Sequence, residues 1–103
     1  MNFVVAVALF WAAVSPAQTQ KESPLVLEGD QRYNVGNIDG SIDSYSRALL
    51  ANPGLAAAYA RRGRSYRAKN EFDKALADLD HAVNLLPKDP WSRREREIGR
   101  AHV

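Results

Sequence analysis

Residues Arg61 to Arg67 read RRGRSYR, four arginines in seven residues with one tyrosine and one glycine among them. Guanidinium groups grip carboxylates and phosphates through paired N–H donors. A basic run with an aromatic inside it is one way of holding a nucleic-acid backbone. The same run also makes an ordinary solvated helix face. Which of these it does depends on which side of which element carries each arginine.

The remaining side chains restrict the chemistry on offer. The 103 residues suffice for one small domain. The chain has no cysteine, which excludes disulfides, a thiolate nucleophile and a cysteine metal cluster. His81 and His102 stand alone, without metal-ligand spacing. Asp78, Asp80 and His81 are close in sequence but point different ways on a helix, and Asp39 and Asp43 share a face as surface acids often do. No Ser-His-Asp set, phosphate loop or dinucleotide fingerprint is present. The sequence therefore predicts a non-enzymatic protein with no cofactor and no metal. The net charge of +2 is small but segregated along the chain. Residues 22–53 carry five acids against two bases, whereas residues 54–88 carry seven bases against four acids.

The chain opens MNFVVAVALFWAAVSPAQTQ. Phe3 to Val14 is an uncharged apolar run, of a length that suits a secretory signal and is short of the roughly 20 residues that span a membrane. Ser15-Pro16-Ala17 offers small residues where a signal peptidase cuts, although no Lys or Arg precedes the run. Residues 1–17 are expected to be a signal peptide cleaved after Ala17, placing the mature chain in the periplasm or outside the cell. An uncleaved membrane anchor is the alternative.

What positions the arginines is a repeat. Sliding the chain by 34 residues lays Gly29 on Gly63, Asp39 on Asp73, Ala48 on Ala82 and Pro53 on Pro87. Ile38 then meets Phe72, Ser41 meets Ala75, Ile42 meets Leu76, Tyr45 meets Leu79 and Leu49 meets Val83. Each unit reads as two helices. Ser23-Pro24 is a cap followed by a proline at the first helical position, opening a helix that runs to about Asn34. Gly36-Asn37 makes the turn, and a partner helix covers Ile38 to about Ala51, with Gly40 inside it costing about 1 kcal/mol relative to alanine. In the second unit the helices run from Leu55 to about Ala68 and from about Glu71 to Leu86, with Asn70 as the second helix's expected cap. Pro87 ends it. Asp89-Pro90 opens a last helix that ends near Ala101.

With these positions in place, the sequence resembles the tetratricopeptide-repeat family. The second unit supplies Tyr59, Gly63, Tyr66, Ala75, Leu79 and Pro87 at the family's spacings, with Leu79 in place of an aromatic and Arg62 where leucine is usual. The first unit keeps Gly29, Tyr45 and Pro53 but has Leu25, Glu28, Arg32 and Ser41 at other pattern positions. The resemblance implies an all-α fold of helical-hairpin repeats, about five helices after the leader, winding as a right-handed superhelix. Residues 22–55 and 56–89 would be the two repeats and residues 90–103 a C-terminal capping helix.

On a helix advancing about 100° per residue, Leu55, Tyr59, Gly63 and Tyr66 share the buried side. Arg61, Arg64 and Arg67 climb the opposite face, with Ala57, Ala60 and Ala68 keeping it uncluttered. Arg62 lies at the border, its stem along apolar surface. In the family this face lines a concave groove that holds peptides. The resemblance implies a groove with Arg64 and Arg67 inside it and Arg61 at its lip, joined from the first unit by Asp30, Tyr33 and Asn34. Such a groove suits a protein or peptide partner, with an acidic segment as the one to test. Asp30 would repel the C-terminal carboxylate that one family mode clamps. An exposed arginine face also serves as mere solvated surface, and the sequence leaves that alternative open.

The last helix looks out of register, because the 34-residue spacing would bury Arg93, Arg96, Glu97 and Arg100. It is expected to dock through Trp91, Ile98 and Ala101 and to turn RREREIGR to water. The sequence thus predicts a protein-binding module that does not bind nucleic acid and touches a membrane only through an uncleaved leader. The rival is an assembly protein forming a homodimer through its repeat edges, since two repeats bury little core alone.

Overall fold

The computed structural model describes residues 23–101, and those residues form five helices. They are α1 (Pro24–Asn34), α2 (Ile38–Ala51), α3 (Ala56–Ala68), α4 (Phe72–Leu85) and α5 (Pro90–Arg100). No strand occurs among the described residues. The expected leader, residues 1–17, lies outside them.

Local chemistry sets the helix boundaries. Ser23 caps α1, its hydroxyl accepting from the Leu25 N–H at 3.2 Å, and Pro24 fills the first turn. Asp89 caps α5 in the same way through the Ser92 N–H at 3.0 Å. Asn37 caps α2, its side-chain oxygen accepting from Gly40 N–H at 3.0 Å. A Cβ on Gly40 would lie only 2.7 Å from Asn37 Cγ. The glycine that looked like a helix penalty is therefore what lets this cap close.

Both intra-repeat turns end their first helix with the same bonded pair. Gly36 N–H donates to Tyr33 C=O and Asn37 N–H to Arg32 C=O, while Asn70 N–H donates to Arg67 C=O and Glu71 N–H to Tyr66 C=O. The pattern requires a left-handed residue, and Gly36 (φ 84°) and Asn70 (φ 64°), 34 positions apart, provide it. Asn70 is thus the closing residue of α3, not the cap expected for α4. Glu71 is the capping residue of α4 and makes no side-chain cap bond.

Packing is built on small residues at helix crossings. A Cβ on Gly29 would overlap the Tyr45 ring, lying 2.6 Å from Cδ1 and closer still to Cε1, and one on Gly63 would lie 2.8 Å from Leu79 Cγ and 3.1 Å from the Ala75 carbonyl. These two glycines let α1 approach α2 and α3 approach α4. Tyr45 and Leu79 are fully buried against them. The first core gathers Val26, Tyr45, Ala48, Leu49, Leu55 and Ala58, with Leu25 and Tyr59 at its margin. The second gathers Ala60, Leu79 and Ala82, with Tyr59 and Trp91 packed against it.

Two expectations about exposure are overturned. Ala60, placed by a one-helix reading on the open arginine face, is wholly buried. The reason is that α3 lies between the first unit, α4 and α5, so its sides divide into more than one buried and one open half. The last helix, moreover, keeps the 34-residue register. Its buried residues are Ser92, Glu95 and Gly99, the counterparts of Ala58, Arg61 and Ser65, which turn toward the first unit. Ile98 is 39% exposed and Ala101 is exposed, so neither anchors the helix. Arg93, Glu97 and Arg100 occupy the counterparts of Tyr59, Gly63 and Tyr66, and they reach water because no described helix lies over that side of α5.

Candidate peptide-binding groove

The first helices of the units, α1 and α3, and the last helix α5 converge on an open cleft of about 340 Å³ lined by Asp30, Asn34, Arg61, Arg64 and Trp91. It continues into a smaller one of about 190 Å³ where Ala57, Arg61, Leu86, Asp89, Trp91 and Ser92 meet. Positions 30 and 34 are one helical turn apart on α1, positions 61 and 64 nearly one turn apart on α3. Helical spacing thus delivers a matched pair of side chains from each wall.

The three arginines that the sequence set on one face play two different roles. Arg61 donates to Asp30 Oδ2 at 2.5 Å, crossing from the second unit to the first. Asp30 also accepts from the Tyr45 hydroxyl at 2.6 Å, and burial, followed by that bond, pushes the Tyr45 phenol well above its ordinary range. Arg67 donates to Glu95 Oε2 at 2.8 Å, with both side chains largely buried, and so ties α3 to α5. These two arginines work as clasps between successive units.

Arg64 is different. Its guanidinium carbon lies 4.0 Å from the centre of the Tyr33 ring and 5.7 Å from that of Trp91, within the range of a cation–π attraction. No described carboxylate lies within ion-pair distance of it, and its buried Nε makes no hydrogen bond. Of the predicted site residues, Asp30, Asn34, Arg61 and Arg64 line the cleft and Tyr33 backs it. Arg67 stands outside the lining and is engaged by Glu95.

Arg62 belongs to another network altogether. It grips Asp78 through Nε and Nη2 at 2.7 and 2.8 Å and reaches Ser46 at 3.1 Å. The hydrogen bond to Asp78 holds the guanidinium above even its usual range. The rings of Tyr59 and Tyr66 lie 5.7 and 5.8 Å from its guanidinium carbon. The equivalent pair in the first unit is also polar: Ser44 Oγ donates to Glu28 at 2.8 Å, and Arg32 donates to Ser44 at 3.0 Å. Glu28 and Ser44 lie 34 residues before Arg62 and Asp78, so each hairpin is bridged at one register position with different chemistry.

Sequence reasoning missed two participants, Asp78 and Glu95, and placed a third, Trp91, chiefly as an anchor. Asp78 is read in the sequence only as an acid pointing apart from Asp80 and His81, and Glu95 as part of the segment turned to water; Trp91 anchors the last helix as expected and also lines the cleft. The offset of 34 held the signal for the last two: it aligns Glu95 with Arg61, on the face turned to the preceding unit, and Trp91 with Ala57, on the groove face.

Residues 56–89, comprising α3, α4 and the following turn, match the model of the tetratricopeptide repeat. That unit is a tetratricopeptide repeat. Relatives named tetratricopeptide repeat protein 36 are similar beyond that one unit. The human protein is 29% identical over 69 residues, covering 67% of this chain and 36% of its own length. That of Caenorhabditis elegans is 32% identical over 68 residues, covering 66% and 35%. That of mouse is 29% identical over 69 residues, covering 67% and 37%. The chain thus spans about a third of the length of the curated relatives it matches. The cleft accordingly lies on the first-helix side of a tetratricopeptide array, where α1, α3 and α5 stand side by side.

Proposed function

We propose that this chain is a non-catalytic interaction module that takes a segment of a protein partner in the cleft between α1, α3 and α5. The observation that supports this most is the state of Arg64. The other groove arginines are neutralised from within the fold, by Asp30 and Glu95. Arg64 keeps a charge no described carboxylate balances, set against two aromatic rings at the edge of an open cleft. A partner's acidic group supplies the missing counter-charge, and the Tyr33 and Trp91 rings supply apolar contact area. Asp30 and Asn34 complete the wall on the α1 side. The tetratricopeptide repeat in residues 56–89 points the same way, to an adaptor or scaffold role.

Affinity capture with three forms of the full chain tests this reading. Wild type and Arg93→Glu, which alters an exposed arginine on the outer side of α5, retain the same partners. Arg64→Glu loses them by tenfold or more, since a charge-assisted contact is worth about 1.5–3 kcal/mol. Equal capture by Arg64→Glu and wild type refutes the groove as the binding surface. Arg67 is left unaltered, because its loss would strand Glu95 in the contact between α3 and α5.

A further inference from the structure

We infer that the end of the molecule carrying the turns between units seats on an anionic lipid surface. This goes beyond the groove reading and does not depend on it.

The helices alternate in direction, so the two ends of the fold are made of different segments. One end gathers the first turns of α1, α3 and α5 and the last turns of α2 and α4. Packing fixes this grouping: Val26, Leu49 and Leu55 share one core cluster, and Leu86 meets Ala57, Asp89 and Trp91 around one small cleft. The opposite end holds the turns within the units.

Apolar surface divides unequally between these ends. Six large apolar side chains are exposed among the described residues, and four of them belong to the first end. These are Leu27 and Leu50, 46% and 84% exposed, with Leu85 and Leu86 at 37% each. Pro24, Pro53, Pro87 and Pro90 are exposed around them. The other end has Val35 and Ile98, set among exposed Asn34, Asn37, Asp39, Lys69 and Asn70.

Exposed leucines mark a contact surface; charge names what it contacts. Lys88, Arg93 and Arg94 are exposed where α4 passes into α5. The nearby acids are engaged elsewhere. Glu95 pairs with Arg67, Asp80 and Glu97 pair with Arg96 and Arg100, and Asp89 caps α5. None of the three cations pairs with a described carboxylate. An open hollow of about 450 Å³, lined by Leu86, Pro87, Lys88 and Asp89, joins the leucines to the cations. Leucines beside unbalanced cations match the boundary of a bilayer, where apolar side chains enter the acyl layer and Lys and Arg meet anionic headgroups. An acidic protein surface would use the cations and leave the leucines in water. Residues 1–22 also join the fold at Ser23, at this end, and include the uncharged apolar run Phe3 to Val14. Asp30, Asn34, Arg61 and Arg64 stand beyond the first turns of α1 and α3, so a molecule seated this way leaves the cleft open.

The chain has no cysteine, so a single nitroxide label can be placed by substitution. Leu50→Cys and Val35→Cys lie at opposite ends, at sites of nearly equal exposure, 84% and 81%. Each labelled full chain is mixed with phosphatidylcholine vesicles, with or without phosphatidylglycerol. Label relaxation by oxygen, against relaxation by an aqueous nickel complex, reports which label lies in lipid. The inference predicts that on the anionic vesicles the label at position 50 enters lipid and the label at position 35 stays in water. Combining Lys88→Glu, Arg93→Glu and Arg94→Glu weakens that lipid contact by about tenfold or more, and phosphatidylcholine alone supports it no better. A label at position 50 that stays in water, equal lipid contact at both positions, as a tether through residues 1–22 alone would give, or an unaffected triple variant overturns the inference. Loss of a captured protein by the triple variant, with no lipid contact in the parent chain, assigns the surface to an acidic protein and overturns it too. Neither result bears on Arg64, whose capture test stands apart.

Discussion

Replacing Arg62 with leucine, the residue common at this position in the family, destabilises the fold by about 3 kcal/mol instead of improving it. The substitution removes the guanidinium that closes on Asp78, whose side chain is only 9% exposed, and leaves a buried carboxylate without its partner. Ser46 loses its bond to Arg62 as well. Asp78→Leu alone costs less, about 2 kcal/mol, because the Arg62 stem can carry its head toward water. The double variant returns to within about 1 kcal/mol of wild type, since apolar pairs often replace a buried ion pair at little cost. Urea unfolding of the four proteins forms a double-mutant cycle that measures the coupling directly. Additive single costs would show that Arg62 and Asp78 do not act as a pair.

Tyr45→Ala removes about 3–5 kcal/mol, a large share of what a fold of this size holds. The ring is wholly buried, Gly29 is pressed against it, and its hydroxyl anchors the Asp30 carboxylate that Arg61 also holds. Tyr45→Phe keeps the ring and costs about 1 kcal/mol. The two variants differ in a second, pH-dependent way. Burial and the Asp30 bond raise the phenol's pKa in the folded chain above its unfolded value of about 10. The folded state therefore binds the proton more tightly, and the stabilisation this provides is fully present below about pH 10 and is lost as pH rises beyond it. Wild type loses stability above pH 10 more steeply than Tyr45→Phe does, as read from thermal unfolding across that range. Parallel curves for the two proteins would contradict the buried Tyr45–Asp30 contact.

Most of the architecture could be read in the sequence because it is periodic. The offset of 34, the prolines at positions 24 and 90 and the left-handed turn at Gly36 are local signals, and the helices fall where these place them. The failures share a physical cause. A helical wheel divides one helix into two halves, but α3 is covered on several sides, so Ala60 was assigned to the wrong face. Ion pairs between helices join residues 16, 28 or 31 positions apart, as in Arg62–Asp78, Arg67–Glu95 and Arg61–Asp30. Such pairs have no i, i+4 signature to betray them. The last helix misled for another reason: its arginines look incompatible with burial, yet Arg93, Arg94 and Arg100 lie on the exposed side and only Arg96 is partly covered, while Ser92, Glu95 and Gly99 keep the register. Of the groove, the sequence picked out Asp30, Tyr33, Asn34 and the arginines. The internal partners that separate Arg64 from Arg61 and Arg67 needed the fold.

The central claim is that Arg64 alone among the groove arginines awaits its counter-charge from outside the chain. The most direct measurement is the structure of the chain bound to a captured partner. The account predicts a partner carboxylate about 3 Å from the Arg64 guanidinium, with Tyr33 and Trp91 beside it and the Arg61–Asp30 and Arg67–Glu95 pairs intact. A partner seated on α2 and α4, with Arg64 unchanged and the cleft empty of protein, would contradict it.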